Sequence, residues 1–270
     1  MQAARKMPDV RDLALFDACV TLGAECTPGV PEPLGAENAL AVMDAHDIAE
    51  ALVQSNEARL VYPRRRGNER LLRQVEGTER LHPVWALSPP DRPDPAGMAH
   101  LVEEMRSAGV RAARLMMGQV PPLHWMWKDL CEALEARQVV CLLDFAPLDH
   151  PATHHPGDPL TVDKLREICL AHPALPMILS HLSGGLGVAQ PALPLLYRAE
   201  NLLIDTTGVV DYWRRVAGDL GPGRVVFATG MPFHDPATFV SNVQYDHVLD
   251  EPAKRLICGG NLRALLEAVR

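Results

Sequence analysis

Apolar residues along this chain gather into short runs, separated by longer stretches in which they recur every three or four positions. The runs near residues 12–20, 58–62, 81–87, 110–116, 139–145, 175–180, 201–206 and 224–229 are the strand candidates, apolar on both faces as buried parallel strands require. Between them, "GAENALAVMDAHDIAEALVQ", "MAHLVEEMRSAG", "WKDLCEALEARQ", "VDKLREICLAHP" and "ALPLLYRAEN" have helical periodicity and are bounded by Gly, Pro or polar residues. Strand and helix alternate throughout, which predicts an α/β fold.

Eight such units in 270 residues match a single (β/α)8 TIM barrel, a domain spanning residues 1–270. A doubly wound open sheet fits less well. No Gly-x-Gly-x-x-Gly follows the first strand, and "SGGLG" at 183–187 lacks that spacing and its acidic partner. In a barrel the chemistry belongs at the C-terminal ends of the strands, where the βα loops begin. "LSPPDRPDPAG" at 87–97 and "APLDHPATHHPGDP" at 146–159 read as two of these loops.

Charge and cysteine content narrow the partners. A net charge of −8 and a pI near 5.7 argue against a nucleic-acid surface, and the one dense cationic run, Arg64-Arg65-Arg66, reads as a solvated loop. Asp9, Asp12 and Asp17 interrupt the N-terminal segment, so neither a signal peptide nor a membrane span is expected. The six cysteines lack paired spacing and several lie in apolar runs, which suits a reduced, cytoplasmic setting.

The candidate chemistry starts at "LFDACVTLG", residues 15–23, a strand entering a turn. Period-two alternation puts Asp17, Cys19 and Thr21 on one face. His181, between "PMILS" and "LSGG", sits where a strand meets a small-residue loop, and Asp144 on the neighbouring strand is its natural partner. Arg114 ends the fourth strand, where its planar fork would bind a substrate carboxylate or pair with Asp144. His234 follows strand eight, while Asp149, His150, His154 and His155 lie among prolines and read as solvated. No Gly-x-Ser-x-Gly elbow is present, and Cys19 is a nucleophile only if His181 stabilises its thiolate.

In this order, "LFDACVTLG", "LHPVWAL", "GVRAARLMM", "DLCEALEARQVVCLLDFA", "MILSHLSGG", "NLLIDTTG", "VVFATGMPF" and "ICGGNLRALL" resemble the amidohydrolase-related superfamily, in particular its aminocarboxymuconate-semialdehyde-decarboxylase-like, metal-dependent TIM barrels. The resemblance implies metal ligands or catalytic groups at Cys19, Thr21, Asp144, His181 and Gly230. Only His181 keeps the expected residue type. An Asp that binds metal and moves the proton of the attacking water is replaced by Gly230, which can do neither.

Two readings of the metal site follow. Cys19, Asp144 and His181 would make a three-ligand site for zinc or another divalent metal with an open fourth position. Otherwise Cys19 is a buried filler, Thr21 a bonded hydroxyl, and no metal is expected at full occupancy.

The functional expectation is a hydrolase or lyase acting on a small-molecule amide, ester, lactone or carboxylate. His181 serves as acid or base, Asp144 orients it or binds metal, and Cys19 lies near the reacting centre. Arg114, His234 and Thr21 are the substrate-binding candidates. The alternative is a non-catalytic relative that binds a metabolite or a partner chain through the same mouth. The partners expected are a small molecule, with neither nucleic acid nor membrane, and a homodimer is implied by the resemblance alone. "WMWKDL", with Trp125 and Trp127, offers either an aromatic surface for self-association or ordinary packing.

Overall fold

Eight parallel strands form one sheet in sequence order: β1 (Leu15–Leu22), β2 (Ile48–Ser55), β3 (Leu81–Leu87), β4 (Ala112–Leu115), β5 (Val140–Asp144), β6 (Met177–Ser180), β7 (Leu202–Asp205) and β8 (Val225–Val226). The structure is a computed structural model and describes residues 9–23, 34–117, 119–144, 162–180, 192–207 and 212–270. The last strand meets the first. Ala18 N donates to Phe227 O at 2.9 Å, Gly230 N to Cys19 O at 3.0 Å, and Thr21 N to Met231 O at 2.9 Å. These bonds join the two ends of the sheet and curl it into a barrel.

Helices α1 (Ala36–Ala45), α2 (Asn56–Leu60), α3 (Arg64–Val75), α4 (Pro95–Ser107), α5 (His124–Ala136), α6 (Val162–Ala171), α7 (192–196), α8 (Tyr212–Leu220), α9 (Pro236–Gln244), α10 (Glu251–Arg255) and α11 (Asn261–Glu267) fill the connections among the described residues. The fourth shows why such segments are helical. Asp94 accepts a hydrogen bond from Gly97 N, Pro95 opens the first turn, and Met98, Leu101, Val102 and Met105 form the buried stripe. No helix among the described residues is long and apolar enough to cross a membrane.

Three local expectations are corrected. The segment 35–54 is not one helix: the chain leaves α1, turns through Asp47 at φ +55°, and continues as β2. A strand buried on both faces shows no alternation, so its apolar residues were indistinguishable from a helix stripe. The expected strand at 58–62 falls mainly in α2, whose first turn is capped by Ser55 Oγ accepting from Ala58 N at 3.2 Å. The Arg64-Arg65-Arg66 run is likewise no loop but the first turn of α3. Arg64 is buried there, bonded to Asp91 at 3.2 Å and to Gln119, while Arg65 and Arg66 are exposed and paired with Glu69 and Glu57.

Two apolar layers position the mouth. Phe16, Ala18, Leu52, Val84, Ala112, Leu142, Ile178, Leu203, Val226 and Ala228 fill the barrel, and Leu262 and Leu266 of α11 cover its N-terminal end. Leu15, Val20, Leu22 and their counterparts on other strands pack outward against the helices. Glu50 anchors the covering helix by accepting from Arg263 Nε at 2.8 Å.

The first strand is irregular at the point that matters. Its register against β2 shifts between Asp17 and Val20, so Ala18 and Cys19, although consecutive, both face the interior. This bulge corrects the expectation that Asp17, Cys19 and Thr21 share a face. Asp17, fully buried, instead accepts from Cys19 N at 2.9 Å, from Thr229 N at 3.0 Å and from the Thr229 hydroxyl. One carboxylate thereby satisfies the amide of the bulge and ties β1 to the segment after β8.

Burial pushes the Asp17 carboxyl up to about 6 from its ordinary 3.8; hydrogen bonds from Thr229 and Cys19 oppose the rise, and Asp205 adds to it. Replacing Asp17 by Ala leaves buried donors without an acceptor, which should cost about 3 kcal/mol and lower the thermal midpoint by roughly 5–10 °C. Because the folded carboxyl holds its proton more tightly than the unfolded one, Asp17 contributes most stability at low pH and loses part of it as the pH rises through about 6. Urea denaturation of wild type and Asp17→Asn at about pH 4.5 and about pH 7.5 checks this: the wild type should lose ground to the Asn variant at the higher pH.

Candidate functional site

The C-terminal ends of the strands enclose a buried polar cluster above the apolar filling. The bulge delivers Cys19 and Thr21 into it, β2 supplies Gln54, β4 supplies Arg114, β6 supplies Ser180, and Asp205 with Thr207 come from β7 and the turn after it. Each is buried, Arg114 with only 1% of its surface exposed.

Arg114 Nη2 donates to Cys19 Sγ at 3.3 Å, and Gln54 Nε2 lies 3.9 Å from the same sulfur. Gln54 Nε2 also donates to Thr21 Oγ1 at 2.8 Å, while its own Oε1 is buried with no hydrogen-bond donor among the described residues. Ser180 Oγ donates to Asp205 Oδ2 at 2.7 Å, and Asp205 Oδ1 accepts from Thr207 N at 3.0 Å and from the Thr207 hydroxyl. Burial pushes the Cys19 thiol up to about 12; the Arg114 charge pulls the other way, and Asp205 and Asp17 add to the rise. At neutral pH the sulfur is therefore a thiol and not the nucleophilic thiolate.

Of the residues expected from sequence, the structure brings Cys19, Thr21 and Arg114 together. Asp144 is the last residue of β5 and pairs in register with Ser180, which puts its backbone at the level of the cluster; its side chain lies outside the described residues. His181, Asp149, His150, His154 and His155 also lie outside them. His234 is exposed after β8, its ring 5.8 Å from that of Phe239. Gly230 has φ +71°, a conformation in which any side chain is strained, and its N–H is bonded to Cys19 O. The "WMWKDL" pair divides, with Trp127 buried and Trp125 exposed.

Gln54, Ser180, Asp205 and Thr207 were not singled out as a set by sequence reasoning. "LLIDTTG" carried a usable signal, since a polar Asp-Thr-Thr closing an apolar strand marks a C-terminal strand end. Gln54 was hidden by the reading of its strand as helix.

The described donors do not suit a divalent metal. A zinc–thiolate bond of about 2.3 Å from Cys19 would put the ion within about 6 Å of a guanidinium nitrogen, where two cations repel. Thr21 brings only a hydroxyl that already accepts from Gln54, and Gly230 brings no side chain. No group of three His, Cys, Asp or Glu side chains among the described residues is arranged to hold an ion.

Solved structures share this architecture at low identity. A 5-carboxyvanillate decarboxylase from Sphingomonas paucimobilis is 16% identical, with a TM-score of 0.68 over 96% of this chain and 100% of that one. A dihydroxybenzoic acid decarboxylase from Polaromonas sp. JS666, solved with manganese and 2-nitroresorcinol, is 17% identical with a TM-score of 0.69 over 94% and 97%. An amidohydrolase from Burkholderia multivorans with bound zinc is 16% identical with a TM-score of 0.68 over 95% and 99%. A search of curated protein sequences gives no match. The sequence profile of the amidohydrolase family matches residues 29–267, from before α1 through α11 and so all strands but β1, and the chain therefore belongs to the amidohydrolase family.

Proposed function

We propose that this chain is a small-molecule enzyme of hydrolase or lyase type, acting on a carboxylate-bearing substrate at the barrel mouth without a stoichiometric divalent metal. The observation that carries the reading is the buried guanidinium of Arg114 among polar side chains at the C-terminal strand ends. Holding a permanent charge in a barrel interior is costly, and a guanidinium there is suited to fixing a carboxylate through two parallel hydrogen bonds. The decarboxylases among the structural relatives act on aromatic carboxylates by their names, which supports the same substrate class here.

In this reading Arg114 orients the substrate carboxylate, and His181 gives or takes the proton at the reacting atom. Asp144 holds the imidazole in the required tautomer. Cys19 stays neutral and shapes the pocket floor, while Thr21 and Gln54 fix the wall beside it. Manganese and zinc in two of the relatives make a divalent metal the competing cofactor assignment.

Calorimetric titration of benzoate and 2,6-dihydroxybenzoate, in buffer containing chelator, tests the binding half. Binding should weaken about tenfold or more in Arg114→Gln, the cost of one charged hydrogen bond. Turnover of a panel of small carboxylates and lactones tests the chemistry. Asp144→Asn and His181→Ala should abolish it while moving the thermal midpoint by only a few degrees, about 1 kcal/mol, since strand ends bury little apolar surface. Binding without turnover of any substrate would favour the non-catalytic relative, and loss of neither binding nor turnover in these variants would remove the proposal.

A further inference from the structure

Two N–H groups face the Cys19 sulfur, while the carboxyls of Asp17 and Asp205 lie farther off in the same cluster. From β4 the Arg114 guanidinium points an N–H at the sulfur, and from β2 the Gln54 amide points its NH2 at Thr21 Oγ1 and toward the same sulfur. The third element, β1, contributes through its bulge a neutral thiol and a hydroxyl that accept these bonds. On the Arg114 side of the sulfur the nearest group is therefore a cation, which repels a metal ion and attracts an oxyanion.

We infer that Arg114 takes the place of a divalent ion in this barrel, serving as the resident cation of the mouth and making it a site for a carboxylate oxygen. The inference rests on the mouth being the functional site proposed above. Three features agree on it. Guanidinium is charged at every physiological pH, so it supplies a fixed positive charge with no metal-binding equilibrium. It stands at β4, within contact distance of the first expected ligand position, so an ion and the guanidinium compete for one place. The two other expected positions among the described side chains offer no ligand atom: the Thr21 hydroxyl accepts from Gln54, and Gly230, with no side chain, is bonded through its N–H to the backbone of β1.

This arrangement changes what the mouth can do. A guanidinium holds and polarises a carboxylate or carbonyl oxygen, but unlike a bound divalent ion it does not lower the pKa of water enough to make hydroxide. Any water used in the reaction must be activated by a side-chain base.

Untagged full-length protein, dialysed against zinc or manganese and then against metal-free buffer, tests the inference by elemental analysis. Wild type should retain well under one equivalent, and its thermal midpoint should not rise with added metal, as binding to the folded state would require. In Cys19→His/Thr21→His, which returns two imidazoles to the first strand, metal affinity should stay weak while Arg114 is present. It should rise about tenfold or more when Arg114→Met is added. Circular dichroism checks that the variants fold, and the wild-type measurements stand without them. Near-stoichiometric metal in the wild type, or equal metal affinity with and without Arg114, would overturn the inference. Carboxylate binding, read separately in chelator, tells this failure from failure of the proposed function: a chain that excludes metal yet binds no carboxylate keeps the resident cation and loses the substrate.

Discussion

The mouth of this barrel depends on one buried carboxylate. A regular β1 would carry Cys19 outward with Asp17, because side chains alternate along a strand. The bulge turns Cys19 and Thr21 inward, and a bulge leaves an amide without a ladder partner. Asp17 accepts that amide and, with the same oxygens, the amide and hydroxyl of Thr229, so local irregularity and barrel closure share one acceptor. Desolvation of the carboxyl opposes this arrangement, and the three hydrogen bonds offset only part of it, which leaves the carboxyl pushed up to about 6.

Everything above the apolar filling follows from that placement. Once Cys19 is inside, its sulfur meets Arg114, and Thr21 meets Gln54. Across the barrel Asp205 is held by Ser180 and by the turn through Thr207. The result is a guanidinium and a carboxyl group, both buried and both fixed by neighbours. In a low-dielectric interior such fixed polar groups act strongly on a ligand and need little reorganisation when it arrives.

Much of the fold was legible in the sequence because eight apolar runs alternating with amphipathic segments leave few architectures. The misread strand, β2, shows the limit: Ile48, Ala51, Leu52 and Val53 are buried on both faces, and a fully buried strand carries the same apolar spacing as a helix stripe. Arg64 shows another, since charge runs are normally solvated and nothing local announces that Asp91 and Gln119 will enclose one of three arginines. At the site, Cys19, Thr21 and Arg114 were legible from their positions at strand ends. The role of Asp17 was not, because a bulge is set by pairing between distant segments and inverts the face on which alternation places a residue. Gly230 stands where the resemblance implies an Asp, and its left-handed backbone, a conformation that suits glycine, could not be read from the sequence.

The position beside Cys19 can be read directly by anomalous diffraction from crystals soaked in zinc or manganese. We expect no anomalous peak there and clear density for the Arg114 guanidinium against the Cys19 sulfur, at the 3.3 Å contact. A strong peak about 2.3 Å from that sulfur, with the guanidinium displaced, would contradict a barrel that carries its cation in its own sequence.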